Sequence, residues 1–349
     1  MPKSDQWTMK DVAQLAGVSI ATVSRVLNHP EQVNRKTIER VKAALDSVSY
    51  SPNGWAQATA RTGPPLVGLV LPDILNPFFA AVYVGMNEVL RAQGITLWMA
   101  DSQNRVDYER EALETLQRYR AQGIVLIPTH SSANLATVYK MDAAVCVVDR
   151  KLQDNAWDLV VIDNLLGGRQ ATQLLIDAGH TRIAIITGPE ASTSANDRYR
   201  GYLSAMEQNG LTVPEEYVKV GDFKQFSGFA LGQALLQLPE RPTAIFSCNN
   251  LMTMGLLEAI RASSGLDLGL GVAVVGFDEI PIATLVKPPL TVVASPVKEL
   301  GVQAVRLILE RIENPEKGRE TVLLPPQLMI RGSERLTKSS QSVTTSSSQ

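Results

Sequence analysis

The chain has 349 residues, 45% of them hydrophobic and 19% charged, enough for two or three domains with sizeable cores. No apolar run approaches the roughly 20 residues of a membrane span. The start "MPKSDQWTMKD" has neither an apolar core nor a small-residue cleavage site, so no signal peptide is expected. The net charge of −2 hides an asymmetry. Residues 1–63 hold 8 Lys and Arg against 5 Asp and Glu, and the remainder holds 25 against 30. A mildly basic head on an acidic body suggests a polyanion partner at the head.

Thr8 stands where it can cap a helix over Met9–Ala16, with Asp11 favoured in the first turn by the helix dipole. Val12, Leu15 and Ala16 are expected on one inward face, and Gly17 supplies the left-handed residue that ends the helix. Ser19 then caps "IATVSRVLN", with Val23, Val26 and Leu27 inward and Ile20, Ala21, Thr22, Ser24 and Arg25 outward. Asn34 caps a third helix, "RKTIERVKAALDSVS", striped by Ile38, Val41 and Leu45. Two short helices joined at a glycine and braced by a third predict a helix-turn-helix over 1–51. The outward face of the second helix is small and polar with one arginine, which suits a major groove. Ser19, Thr22 and Ser24 can bond phosphates, Arg25 can fork onto guanine, and Ile20 can meet a thymine methyl. A plain three-helix packing or protein-contact module is the alternative for the same pattern.

Residues 52–65 carry Pro and Gly at both ends and read as a linker. From Leu66 onward apolar runs alternate with amphipathic stretches: "LVGLVL", "ITLWMA", "GIVLI", "AVCVV", "LVVI", "RIAIIT", "YVKV", "TAIFS", "VAVVGF" and "LTVV". Unbroken apolar runs of this length predict strands buried on both faces, so the body is α/β with parallel sheets. Helices such as Pro77–Gln93 and Tyr108–Gln122 are expected to end at Gly94 and Gly123. About ten strands exceed one compact sheet and imply two lobes. The boundaries fall at about 66–164 with 295–323 for the first lobe, and 165–294 with 324–336 for the second. The tail 337–349 is low-complexity and expected to be disordered. It shows no apolar heptad, so a dimer rather than a coiled-coil tetramer is expected. Cys146 and Cys248, each in an apolar run, fit reduced buried thiols in a cytoplasmic protein.

Ligands of open α/β sheets sit beyond the carboxyl ends of the strands. The residues found there are Asp73, Asn76, Phe78 and Phe79, then Asp101, Ser102, Gln103 and Asn104, then Asp149 and Arg150, and farther on Arg198, Asn249 and Asp278. Such side chains donate and accept in pairs, as adjacent sugar hydroxyls require, and a phenylalanine suits the C–H face of a sugar. Bland roles stand beside this one. Asn76 before Pro77 can be only an N-cap, one of Phe78 and Phe79 is expected in the core, Asp101 can cap a turn, and Asp149–Arg150 can be a plain ion pair. The three histidines do not assemble a catalytic group. His29 follows the second helix of the head. His130 neighbours Ser131 and Ser132 without a nucleophile elbow. His180 is a helix-end residue favoured by the dipole. No metal-ligand spacing or dinucleotide fingerprint occurs, so no catalytic residue, metal or cofactor is expected.

"MKDVAQLAGVSIATVSRVLNHPEQVNRKTIERVKAALDSVSYSPN" closely resembles the head of the lactose-repressor family of bacterial transcription regulators. The likeness continues through "VGLVLPDILNPFFAAVYVGMNEVLRAQG", "DNLLGGRQATQLLIDAGHTRIAIITGP" and "VAVVGFDEIPIATLVKPPLTVV", and covers residues 8 to about 333. It implies an all-α helix-turn-helix head on an α/β, two-lobed sensor similar to periplasmic ribose-binding proteins. It implies a homodimer on double-stranded, pseudo-palindromic operator DNA, and a small-molecule effector. Ile20, Ala21 and Arg25 occupy the base-reading positions, and Ser19, Thr22, Ser24 and Asn28 those at or near phosphates. The linker is implied to fold as a hinge helix in the minor groove. Here Thr59 replaces the usual Leu wedge and Gly54 adds a helix breaker, which weakens the kink unless Trp55 or Ala60 compensates.

In the sensor, the implied ribose-type contacts are Asn76, Phe78, Phe79, Asn104, Asp149, Arg150, Arg198, Asn249 and Asp278. The departure is "CNN" at 248–250, where the family usually has Asn-Asp, so Asn250 removes a charge beside the pocket. The expected function is a transcriptional regulator, a repressor, controlled by ribose or another pentose. A hexose comes second and a nucleobase or nucleoside acting as corepressor third. A sugar-processing or NAD-dependent enzyme with a DNA-binding head is the alternative from another class, and a solute-binding protein another.

Overall fold

The computed structural model describes residues 9–28, 33–47, 65–154, 156–263 and 267–336. Thr8, His29, the linker with Gly54, Trp55, Thr59 and Ala60, and the tail 337–349 lie outside the described residues, as do the side chains of Leu27 and Asn28.

The head holds α1 (Met9–Ala16), α2 (Ile20–Asn28) and α3 (Arg35–Ser47). Gly17 sits at φ +59°, a conformation that only glycine adopts without strain, and turns the chain between α1 and α2. Ser19 Oγ accepts the Thr22 N–H at 3.1 Å and Asn34 Oδ1 accepts the Lys36 N–H at 2.8 Å, so both caps form. Arg40 of α3 reaches across the turn and donates to the Ala16 carbonyl at 2.5 Å and the Gly17 carbonyl at 3.2 Å. It thereby satisfies the bare carboxyl end of α1 and fixes α3 against the turn. The core is small: Val12, Ala13, Ala16, Val23, Val26, Val41, Ala44 and Leu45. Leu15, expected inward, is 52% exposed, and Ala13 is buried in its place. In so short a helix the close contact with α2 and α3 selects the small residue.

The body begins with β1 (Leu66–Leu71), α4 (Pro77–Ala92), β2 (Thr96–Asp101), α5 (Val106–Arg118), β3 (Gly123–Leu126), α6 (Leu135–Val138), β4 (Ala144–Val148) and β5 (Asp158–Ile162). The chain then crosses to a second lobe. That lobe holds α7 (Asn164–Asp177), β6 (Ile183–Thr187), α8 (Thr193–Gln208), β7 (Val218–Val220), α9 (Gln225–Leu236), β8 (Ala244–Ser247), α10 (Asn250–Ala262), β9 (Ala273–Phe277) and β10 (Thr291–Ala294). It returns for α11 (Val297–Glu313) and β11 (Thr321–Leu324), and crosses once more to end in β12 (Gln327–Met329). The first sheet runs β11-β5-β4-β3-β1-β2 and the second β12-β10-β9-β8-β6-β7. Among the described residues all strand pairs are parallel except β10 with β12.

The unbroken apolar runs have the burial that parallel sheets require. β3 and β6 are buried at every residue, with helices on both faces. In the first lobe one face packs on α4 and α11 and the other on α5 and α6. The second lobe has one continuous core around Tyr202, Phe246 and Phe277, all fully buried. Among the described residues no helix is long and apolar enough to cross a membrane.

Three expectations need correcting. The helix expected over Tyr108–Gln122 ends four residues sooner, at Arg118. Arg120 takes the left-handed turn at φ +53°, and Gly123 opens β3. Two strands, β11 and β12, were absent from the ten apolar runs. They are short, half-exposed edges, and β12 runs antiparallel in a body expected to be parallel. His180 is not a dipole-favoured cation. It is buried, hydrogen-bonded to Thr243 Oγ1 at 2.9 Å and the Glu334 carbonyl at 3.1 Å. Burial pushes its pKa down, so it is neutral at pH 7.

Candidate functional site

The two sheets present their carboxyl ends to each other across a cleft of about 560 Å³, a size suited to a small molecule. In each sheet the chain reverses its direction of winding beside the first strand, β1 or β6, and such switch points open crevices for ligands. Asn76, Phe78, Phe79, Asn104, Asp149 and Arg150 line the cleft from the first lobe, and Arg198, Asn249 and Asp278 from the second. The structure therefore brings together all nine of the residues expected there, from six different loops and helix ends.

Backbone strain concentrates at the same place. Seven non-glycine residues have positive φ among the described residues, and five of them line the cleft: Gln103, Asn104, Asp149, Phe223 and Asp278. Left-handed non-glycine residues cost free energy that the surroundings must offset, and they gather where side chains must be aimed. Here each follows the carboxyl end of a strand and lines the cleft.

The polar groups form two clusters. On the second lobe, Arg198 Nε donates to Asn164 Oδ1 at 2.8 Å and Nη1 to the Cys248 carbonyl at 2.5 Å. Nη1 lies 3.7 Å from Asp278 Oδ2, and the guanidinium stacks 3.7 Å above the Phe277 ring. α8 can hold Arg198 so deep because α7 packs against it backbone to backbone. A Cβ at Gly168 would stand 2.2 Å from the Arg198 carbonyl oxygen. Ser295 Oγ donates to Asp278 Oδ1 at 2.5 Å.

On the first lobe, Arg150 Nη1 donates to Asn104 Oδ1 at 2.9 Å and to the carbonyls of Thr129 and Pro128 at 3.0 and 3.2 Å. Asp149 and Arg150 are adjacent but only loosely paired, Nε to Oδ2 at 3.9 Å. Among the described residues Asp149 Oδ1 and Arg150 Nε are buried without a hydrogen-bond partner. Each such atom costs about 1–3 kcal/mol unless a partner is supplied. Burial raises the pKa of both Asp149 and Asp278 against the pull of the nearby arginines.

The bland roles are partly true as well. Asn76 does cap α4, accepting the Phe78 N–H at 3.0 Å, and Asp101 Oδ1 accepts the Gln103 N–H at 2.9 Å. Phe78 and Phe79 are both core and both lining, edge to face with ring centres 5.2 Å apart. Asn249 caps α10 through Met252 N–H and donates to the Phe223 carbonyl. The sequence reading passed over Phe223, which enters from the second lobe with its ring 5.7 Å from Arg150 Cζ. It follows β7, so the strand-end rule would have found it. Glu109 was also missed. It is fully buried on α5, accepts from Thr129 N–H and Oγ1 and from Asn134 Nδ2, and so shapes the loop that holds Arg150. His130 bonds Ser132 at 3.2 Å, and neither residue lines the cleft.

In the head, Ile20, Ala21, Arg25 and Ser19 are exposed, and Thr22 and Ser24 are half-buried on the same helix. The Ser19 and Thr22 hydroxyls are 2.8 Å apart. α2 thus shows solvent a short, mostly small face with one cationic fork, the shape that a major groove admits.

Residues 8–53 match the model of the bacterial regulatory proteins of the lacI family, and residues 172–334 match a periplasmic binding protein-like domain. The ribose operon repressor of Escherichia coli K12 is 36% identical over 328 residues, covering 93% of this chain and 99% of that one. The HTH-type transcriptional repressor PurR of Histophilus somni is 32% identical over 329 residues, covering 93% and 98%. A solved structure of the lac repressor dimer bound to operator and an anti-inducer superposes with a TM-score of 0.72. It has 26% identity and covers 95% of this chain and all of that one.

Proposed function

This chain belongs to the lacI family of bacterial regulatory proteins, and on that premise we propose that it is a repressor whose grip on operator DNA is set by a small neutral sugar held between its lobes. The observation that carries the sugar is the pair of buried, partnerless atoms, Asp149 Oδ1 and Arg150 Nε, beside three phenylalanines drawn from both lobes. A hydroxyl can donate to the first while a neighbouring hydroxyl oxygen accepts from the second. The aspartates at 73, 101, 149, 222 and 278 outnumber Arg150, Arg198 and Lys224 around the cleft, which disfavours a phosphorylated or carboxylate ligand. Ribose or another pentose is the first choice, and the relative named for a ribose operon supports it. A hexose comes second. A nucleoside comes third, favoured by the aromatic lining.

The head reads DNA through Ile20, Ala21 and Arg25, with Ser19, Thr22, Ser24 and Asn28 at phosphates. Two copies act as a dimer on a two-fold operator, in the cytoplasm where the DNA lies. Residues 52–65, with Trp55 and Thr59, serve as the hinge between head and lobes. The sugar favours one lobe orientation and so changes the spacing of the two hinges. The relatives are regulators rather than enzymes, and no catalysis, metal or cofactor is assigned to this chain.

A thermal melt against a panel of neutral sugars and nucleosides tests the cleft. At 100 times its dissociation constant the effector should add about 2.7 kcal/mol, and a panel that leaves the melt unmoved removes the sugar reading. Arg25→Ala should cost about 1–3 kcal/mol at one base pair of each half-site. A binding-site selection would then show relaxed preference at that base pair, whereas an equal loss on random DNA would make Arg25 a phosphate contact.

The cleft also predicts a pH dependence. Burial holds the Asp149 and Asp278 carboxyls above their ordinary range, and a hydroxyl that donates to either one favours the ionised form. Binding should therefore release protons near those raised values, and affinity should fall as the solution is acidified through them. For folding alone the sign reverses. A carboxyl raised in the folded state stabilises the fold below its unfolded value, and that contribution is lost as pH rises through the folded value. Calorimetry in two buffers of different ionisation heat checks the proton release. An affinity that rises on acidification would contradict it.

A further inference from the structure

The helices α4 and α10 start on opposite lobes, and both open onto the cleft. Their first turns are joined by one side-chain hydrogen bond, from Asn250 Nδ2 to Asn76 Oδ1 at 2.8 Å. Both residues are buried. The direction of this bond is fixed independently at each end. Asn76 Oδ1 already accepts the Phe78 N–H, so its oxygen must face the cap. Asn250 Oδ1 accepts the Leu251 N–H at 2.8 Å, which turns the Asn250 amide nitrogen toward Asn76. The bond across the cleft therefore needs a donor at position 250, and the Asn250 amide supplies it. A second bridge lies at the end of β4. Lys151 N–H donates to Thr193 Oγ1 at 2.8 Å, and Lys151 Nζ meets Asp197 Oδ2 at 3.1 Å. Lys151 belongs to the first lobe, and Thr193 and Asp197 to the second.

We propose that Asn250 is a positioning residue. By donating to Asn76 it clasps the two lobes together and, with Lys151, holds them in the arrangement in which effector contacts from both lobes converge. The clasp biases the lobes toward that arrangement and leaves the last of the shift to the sugar, which therefore spends less of its binding free energy on closing them. The clasp also decides what Asn76 shows the effector. Its oxygen is used twice, by Phe78 and by Asn250, so Asn76 presents its amide hydrogens and requires an acceptor oxygen on the ligand. The part of this inference that concerns the sugar rests on the reading of the cleft given above. The clasp does not.

Asn250→Asp is the informative change. A carboxylate still accepts the Leu251 N–H, and a negative charge at the start of α10 is favourable. The second lobe should therefore melt no lower than in the parent. Across the cleft, however, two acceptors would then face each other. With fluorophores on Glu114→Cys of α5 and Glu207→Cys of α8, both exposed positions, the inter-lobe distance should lengthen in Asn250→Asp. The sugar dissociation constant should rise about fivefold, the worth of one buried hydrogen bond. An unchanged inter-lobe distance would overturn the clasp. If the aspartate variant fails to fold, Asn250→Ala removes the donor without adding charge, and the same distance decides. Should the distance lengthen while neither parent nor variant binds any sugar, the effector reading falls and the clasp stands.

Discussion

An Arg198→Ala protein should bind operator as the parent does and give no answer to sugar. Arg198 is 3% exposed, and its guanidinium is shared among Asn164, the Cys248 carbonyl and Asp278. Its removal leaves the buried Asp278 carboxylate without its cation and two acceptors without donors. Breaking one side of a buried ion pair typically costs about 3–5 kcal/mol. Where that cost falls on the bound state, sugar affinity drops by about two to four powers of ten. Calorimetry on the folded variant measures it. A response to sugar within tenfold of the parent would take Arg198 out of the cleft's chemistry.

The second large effect is the mirror image. Val23→Asp should abolish operator binding and leave the sugar-induced melting shift intact. Val23 is fully buried in a head whose core, among the described residues, consists of valines, alanines and a single leucine. Among the described residues an ionised carboxylate there has no buried partner, and it costs several kcal/mol. A three-helix head of this size has little stability to spare. The lobes have separate cores around Leu69 and Phe246 and share no core cluster with the head. Circular dichroism of the isolated transitions, together with a filter-binding titration, would show the head lost and the lobes kept. A variant that still binds operator would mean that α2 is not packed as described.

These two variants separate what the sequence made legible from what it hid. The head was readable because caps, a glycine stop and an inward stripe all agree over some 40 residues. The exception, Leu15, shows the limit. An apolar residue on a short helix faces inward only if the neighbouring helices leave room, and here Ala13 is buried while Leu15 is exposed. The cleft was readable because parallel strands announce themselves as unbroken apolar runs, and the rule about their carboxyl ends then points to Asp149, Arg198 and Asp278 without any coordinates.

Other features carried no such signal. β11 and β12 lie at sheet edges with alternating exposure, so their sequences "TVLL" and "QLM" look like loop. Arg120 ends a helix in a left-handed conformation with no glycine to mark it. Glu109 looks like a solvent-facing charge on an amphipathic helix, and only the placement of Thr129 and Asn134 reveals why burying it is tolerable. The Asn76–Asn250 bond joins residues 174 apart. Nothing local predicts it, although the asparagine at 250 is a visible departure.

The most direct test of the account is a single titration. An operator is selected from a random duplex pool and its affinity for the full-length protein is measured with and without a saturating sugar that shifts the melt. Coupling between two such sites is typically about 1–3 kcal/mol, so the account predicts a change in operator affinity of about 5–150-fold, absent in Arg198→Ala. An operator affinity unmoved by every sugar that the cleft binds would contradict it, leaving a DNA-binding head and a sugar site that do not communicate.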